Sequence, residues 1–249
     1  MILIVAGSAI IFTSFTSIVD NSPGSQHSDS SISITSPHWS GYVVMSNLIL
    51  RDKEVTTVTG SWTVPSVEPT ESDVYLSIWV GIGGFGETSL IQTGTTLQNV
   101  NGSLSYYAWY ELLPNNAVKI QNFTVSPGDI ITASVRLINP NNNTWNIEIR
   151  NLTGGSGYSR NFIYSSSRLS AEWIVEAPLL SGELTTLANF GSVEFTDCFA
   201  TITETTGVIS DFPGYQLVMY DSQDNQLVDV SSLNTEGSGF TVTYSKNGN

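Results

Sequence analysis

Residues 77–91 read Ser77-Ile78-Trp79-Val80-Gly81-Ile82-Gly83-Gly84-Phe85-Gly86-Glu87-Thr88-Ser89-Leu90-Ile91, or SIWVGIGGFGETSLI. Two folds compete for this stretch. Gly81 to Gly86 match G-x-G-x-x-G straight after an apolar run, and in a dinucleotide-binding fold that pattern opens a helix whose N-terminus receives pyrophosphate. Here Glu87 to Ile91 lead into another short β-like segment, so no helix N-terminus is available and the glycines read as a turn between strands.

The rest of the chain agrees. Short segments with period-two alternation recur: GYVVMS, EVTTVTGSWTV, VYLSIWVGI, LSYYAWYEL, DIITASVRLI, NTWNIEIRNLT, AEWIVEA, GSVEFTD, YQLVMYD and GFTVTYS. Turn chemistry separates them, at Ser126-Pro127-Gly128-Asp129, Asn139-Pro140-Asn141-Asn142 and Thr153-Gly154-Gly155. No helical stripe of useful length follows the N-terminal segment. The expected architecture is all-β, one antiparallel two-sheet sandwich of jelly-roll or concanavalin A-like type over residues 37–249.

Charged residues make up only 12% of the chain, and eight Lys+Arg stand against 22 Asp+Glu for a net charge of -14. That balance disfavours nucleic acid and anionic membranes as partners, since both require basic patches. It also suits acid. Near pH 2 to 3 most carboxylates, with reference values of about 4, are neutral, and the small remaining positive charge limits self-repulsion. The opening MILIVAGSAIIF has the length of a signal-peptide apolar core and falls short of the ~20 residues of a membrane span. Residues 1–19 are therefore expected to be a signal or hydrophobic segment, and the Ser-rich 20–36 a linker. Sequons at Asn101, Asn122, Asn142 and Asn151 fit an exported glycoprotein. Cys198 is the sole cysteine and reads as a buried apolar one.

Several chemistries fail for want of residues. His27 and His38 are the only histidines, too few for a metal centre or a Ser-His-Asp triad, and G-x-S-x-G is absent. Carboxylates and amides remain. In Ser89–Gly94, SLIQTG, an Asp at position 92 would have spelled half of an aspartic-protease dyad; Gln92 stands there instead. Alternation puts Leu76, Ile78, Val80 and Ile82 on a core face and Ser77, Trp79, Gly81 and Gly83 on the other. The same count groups Tyr107, Trp109 and Glu111, and groups Glu172, Ile174 and Glu176. Such a face could be a groove for an extended polymer or an ordinary polar sheet face with core tryptophans.

The segments WVGIGG, SLIQTG, YYAWYELLP, NLTGG and AEWIVEAP, in that order, resemble the glutamic peptidases of the eqolisin type. The likeness runs from HWSGYV through TGSWTVPSV and VEFTDC to GFTVTYS. It implies a bent two-sheet sandwich and acid-acting endopeptidase activity on polypeptide substrates, without cofactor or metal. It implies further that Gln92 and Glu176 are the catalytic pair, activating a water with no covalent intermediate, and that Trp39, Trp79 and Glu111 surround them, with Trp109 and Glu172 on the same face. The sequence departs from the family at Gly83, Tyr107 and the Thr95–Thr96 pair, where acids are typical, at Leu113, and in lacking all family cysteines except Cys198. A secreted monomer is expected, membrane-bound only if its N-terminal segment stays uncleaved as an anchor. The rival is a carbohydrate-binding or glycoside-hydrolysing sandwich using Glu172 and Glu176. Four residues along a strand span about 13 Å, outside the roughly 5 to 9.5 Å windows of glycosidase pairs. A non-catalytic cell-surface sandwich is a third reading, favoured only if Gln92 and Glu176 lie far apart.

Overall fold

The computed structural model describes residues 32–47, 49 and 54–245. The segment expected as a signal and most of the Ser-rich linker lie outside them. In chain order the strands are β1 (Ile32–Ser36), β2 (Trp39–Val44), β3 (Val55–Thr63), β4 (Val74–Gly83), β5 (Leu90–Val100), β6 (Ser103–Leu112), β7 (Val118–Lys119), β8 (Ile130–Asn139) and β9 (Thr144–Asn151). They continue as β10 (Gly157–Ile163), β11 (Ala171–Glu176), β12 (Leu179–Leu180), β13 (Glu183–Leu184), β14 (Ser192–Ile202), β15 (Thr205–Val208), β16 (Gly214–Met219), β17 (Val228–Val230) and β18 (Phe240–Tyr244).

Two large sheets form, ordered β1-β16-β2-β11-β4-β5-β6-β7 and β10-β9-β8-β3-β14-β18-β17. Every strand pair in them is antiparallel except β1 with β16. The second sheet keeps the alternation of a half-solvated antiparallel layer: Trp145, Ile147 and Ile149 point inward while Asn146, Glu148 and Arg150 do not. They share one apolar core with Ile78, Val80 and Trp173 of the first sheet. Each fully buried aliphatic side chain contributes about 1.5–3 kcal/mol.

Three expectations change. Ile32–Ser36, placed in the linker, is a strand: Ile34 is buried and the segment pairs in parallel register with Tyr215–Met219, so the folded unit starts before Pro37. The β-like segment after the glycine turn is not short but an eleven-residue strand. Finally, β4 is buried on both faces, because a second apolar cluster with Trp39, Val43, Leu90 and Ile174 covers the face away from the sandwich core. Cys198 is buried as expected, and burial, aided by the charge of Asp197, pushes its thiol well above the ordinary range.

Tryptophan N–H groups stitch the two sheets together. Trp62 Nε1 on β3 donates to Thr95 Oγ1 on β5 at 3.0 Å, and Trp173 Nε1 on β11 donates to the Thr59 carbonyl on β3 at 2.6 Å. Leaving a buried donor unmatched costs about 1–3 kcal/mol. Replacing Thr95→Val keeps the side-chain shape but removes the acceptor. Chemical denaturation is expected to show a loss of about 1–3 kcal/mol with an unchanged m-value; unchanged stability would mean that this bond holds nothing.

Candidate active site

Strands β11, β4, β5 and β6 are consecutive neighbours, so their register writes rows across the sheet face turned away from the core. One row runs Glu172, Gly81, Gln92, Glu111. The next runs Ile174, Trp79, Gly94, Trp109, and the third Glu176, Ser77, Thr96, Tyr107, with Trp39 of β2 opposite Glu176. All seven residues singled out from the sequence, Trp39, Trp79, Gln92, Trp109, Glu111, Glu172 and Glu176, therefore share one face. Gln92 and Glu176 stand diagonally on it, two strands and two rows apart.

The diagonal is spanned by Trp79. Its Nε1 donates to Glu176 Oε2 at 2.7 Å. The far edge of the ring lies over Gly81, where an added Cβ would meet Trp79 Cζ3 at 2.9 Å and Gln92 Cβ at 3.1 Å. Beneath the near edge, a Cβ on Gly94 would fall 2.5 Å from Trp79 Cβ and 2.2 Å from the Ile78 carbonyl oxygen. Two glycines thus seat the indole, and Trp39 closes on it edge to face with centroids 4.8 Å apart. Gln92 is held from the opposite side: its Nε2 donates to Glu111 Oε2 at 2.6 Å, which fixes the amide so that Oε1 is directed elsewhere.

The polar groups of this face are withdrawn from solvent. Gln92, Glu172 and Glu176 are each 0% exposed and Glu111 is 1%. A carboxylate out of water is expensive unless hydrogen bonds compensate it, and two donors to this face are neutral, the Trp79 indole N–H to Glu176 and the Gln92 amide N–H to Glu111. Lys119 stacks over the Tyr107 ring at 5.0 Å. Among the described residues, no cluster of three or more His, Cys, Asp or Glu side chains could hold a metal ion.

Three features of the face were not assigned from the sequence. Gly94 is needed for space alone, signalled only by a glycine within a strand. Ser77 Oγ and Thr96 Oγ1 share a 2.7 Å hydrogen bond in the row of Glu176, a neutral pair where the resemblance leads one to expect an acid. Glu87 lies beyond the end of β4, and a Cβ on Gly83 would come 2.7 Å from its Oε1. That carboxylate, anchored by Gly84 N–H at 3.1 Å and by the Ser167 hydroxyl, fills the space into which a side chain at position 83 would project. Glu172 and Glu176 sit on one strand in unbroken register, so the glycosidase reading gains no bulge that would bring them together.

Residues 37–244 match the model of the Peptidase A4 family. The chain is 33% identical to aspergillopepsin-2 of Aspergillus niger over 233 residues, covering 84% of this chain and 78% of that protein. It is 31% identical to scytalidopepsin B of Scytalidium lignicola, covering 79% and 75% respectively. A crystal structure of scytalido-glutamic peptidase with a peptide-based transition state analog superposes with a TM-score of 0.69 at 27% identity, over 84% of this chain and 98% of that one. These likenesses leave the carbohydrate reading unsupported. The sandwich, the buried amide–carboxylate face and the match along the described chain agree: this protein belongs to the Peptidase A4 family and is a glutamic-type endopeptidase, a hydrolase of peptide bonds.

Proposed function

We propose that Gln92 and Glu176 carry the chemistry of this peptidase in acid, on extended polypeptide segments outside the cell. The observation behind the assignment is that each has its own fixed partner on a shared face: Glu111 for the amide and Trp79 for the carboxylate. Ionised Glu176 takes a proton from a water as the water attacks the scissile carbonyl carbon, then returns it to the leaving amine. Trp79 Nε1 holds Oε2 and so orients the carboxylate for that transfer. Gln92 accepts from the same water through Oε1, an atom with no hydrogen-bond partner among the described residues. One of its amide hydrogens is held by Glu111; the other serves the developing oxyanion, an interaction worth about 3 kcal/mol in comparable sites. No covalent intermediate arises, and the chain is expected to work as a secreted monomer.

Single-turnover digestion of a denatured protein at pH 2 to 5 tests the pair. Gln92→Ala should lose about 10²–10³-fold in kcat at every pH, and Glu176→Gln should lose more. Gln92→Glu should keep residual activity only on the acidic limb, because an ionised carboxylate there repels Glu176 and offers the oxyanion no donor. Glu172→Gln should leave the chemical step largely intact. Equal collapse of the two glutamate variants would transfer the base role away from Glu176, and near-normal kcat in Gln92→Ala would return Gln92 to an ordinary polar strand residue.

Trp79→Phe probes the carboxylate's setting. A hydrogen bond donated to the ionised form favours that form, so its removal raises the pKa of Glu176. The group acts as a base when ionised, so kcat/KM climbs through that pKa on the acid limb, and the limb should move to higher pH. A charge-assisted bond of about 1.5–3 kcal/mol corresponds to a shift of about one to two pH units. Glu172, Glu111, His38 and Tyr107, the other titratable groups on or beside this face, are unchanged in the variant. A fall in amplitude with no shift would reduce Trp79 to packing.

A further inference from the structure

The four Asn-x-Ser/Thr triplets look equivalent in sequence, but the fold treats them in two ways. Asn101 sits in the β5–β6 turn, exposed, with φ 53°. Asn122 is exposed in the turn after β7, with φ 58°. Asn142 is exposed in the β8–β9 turn, and its Oδ1 accepts from the hydroxyl of its own triplet, Thr144 Oγ1, at 2.6 Å. That contact uses the carbonyl side of the amide and leaves Nδ2 toward solvent.

Asn151 is different. It is 2% exposed, and both hydrogens of its Nδ2 are committed, one to Asp129 Oδ2 at 2.6 Å and one to the Thr124 carbonyl at 3.0 Å. Its Oδ1 accepts from the backbone N–H of Thr153 at 3.0 Å and of Gly154 at 2.7 Å. The amide is spent on tying the β9–β10 turn to the loop before β8. A Cβ on Gly154 would already lie 2.8 Å from Nδ2, so the space beside that nitrogen is closed.

We infer that Asn101, Asn122 and Asn142 are sites of N-linked glycan attachment and that Asn151 is not. The co-reactant is an oligosaccharide carried on a polyisoprenyl diphosphate. The bond from its anomeric carbon to the diphosphate oxygen breaks, that carbon bonds to Nδ2, and the displaced amide proton leaves with the diphosphate. At the three turns this replaces a solvent-facing hydrogen. At Asn151 it would remove a donor from a buried carboxylate and place a sugar where Asp129 stands, so a chain modified there cannot close the turn. The three glycans also spare the active face. Asn101 lies nine residues from Gln92, about 30 Å along strand β5 at the usual rise, and Asn122 and Asn142 lie in other turns.

The test uses the full chain secreted from a host that performs N-glycosylation. Release of glycans by a peptide amidase in heavy-oxygen water converts each occupied Asn to isotope-labelled Asp, which peptide mass spectrometry locates. Label is expected in the majority of molecules at Asn101, Asn122 and Asn142 and absent from Asn151, and peptidase activity should stay within about two-fold after glycan release, a change of less than about 0.5 kcal/mol. Label at Asn151 in folded, secreted protein, an unlabelled majority at any one of the three turns, or a larger change in activity on release would overturn the assignment. None of these readouts depends on which residues perform catalysis.

Discussion

The arrangement of this face rests on one constraint: a side chain at position 94 would collide with backbone, and one at position 81 would press on the Trp79 ring. With both positions bare, the Trp79 indole can lie along the sheet and reach Glu176 with its N–H while its far edge sits beside Gln92. A sheet fixes neighbouring side chains about 5 Å apart between strands, so Gln92 and Glu176, two strands and two rows apart, do not touch as direct cross-strand neighbours. The rigid indole lies across the gap between them. It is a fixed spacer with a donor at one end, and Trp39 limits its movement from above.

The choice of donors has a second effect. Glu176 is partnered by an indole and Glu111 by an amide, neither of which gains or loses a proton in the acidic range. A lysine or histidine partner would place a fixed positive charge where the transition state needs a mobile proton, and it would need compensation of its own on a face that excludes water. Across each of these two bonds, protonation of the carboxylate changes one charge and not two.

Much of this was legible in the residues. Parity along LSIWVGIG, YYAWYE and AEWIVE grouped Trp79 with Gly81, Glu111 with Trp109, and Glu176 with Glu172, because period two is a property of the strand itself. Which residue lies across from which was not legible, since register belongs to the pairing of strands and not to any one of them. Hence Gly81 between Glu172 and Gln92, and the diagonal of Gln92 to Glu176, required the fold. Of the strands at least five residues long, two escaped notice, for opposite reasons. Ile32–Ser36 follows a Ser-rich stretch whose composition masks its alternating isoleucines, and Gly157–Ile163 is an edge strand too exposed to carry an apolar pattern. The closure of the second face of β4 was hidden as well, because its cover is assembled from β2, β5 and β11, distant in the chain.

The stitches between the sheets carry a consequence for the protein as a material. Trp62 to Thr95 and Trp173 to Thr59 join groups that exist in one protonation state throughout the range in which proteins are handled. Among the described residues the ion pair of the sandwich, Arg150 with Glu148, sits on its surface. The slope of folding free energy against pH counts the protons that the chain takes up or releases on unfolding, and bonds of this kind contribute none. The joint between the layers is thus uncoupled from the medium. Titration of a carboxylate elsewhere in the sandwich therefore breaks neither stitch, and withstanding protons falls to atoms that do not bind them.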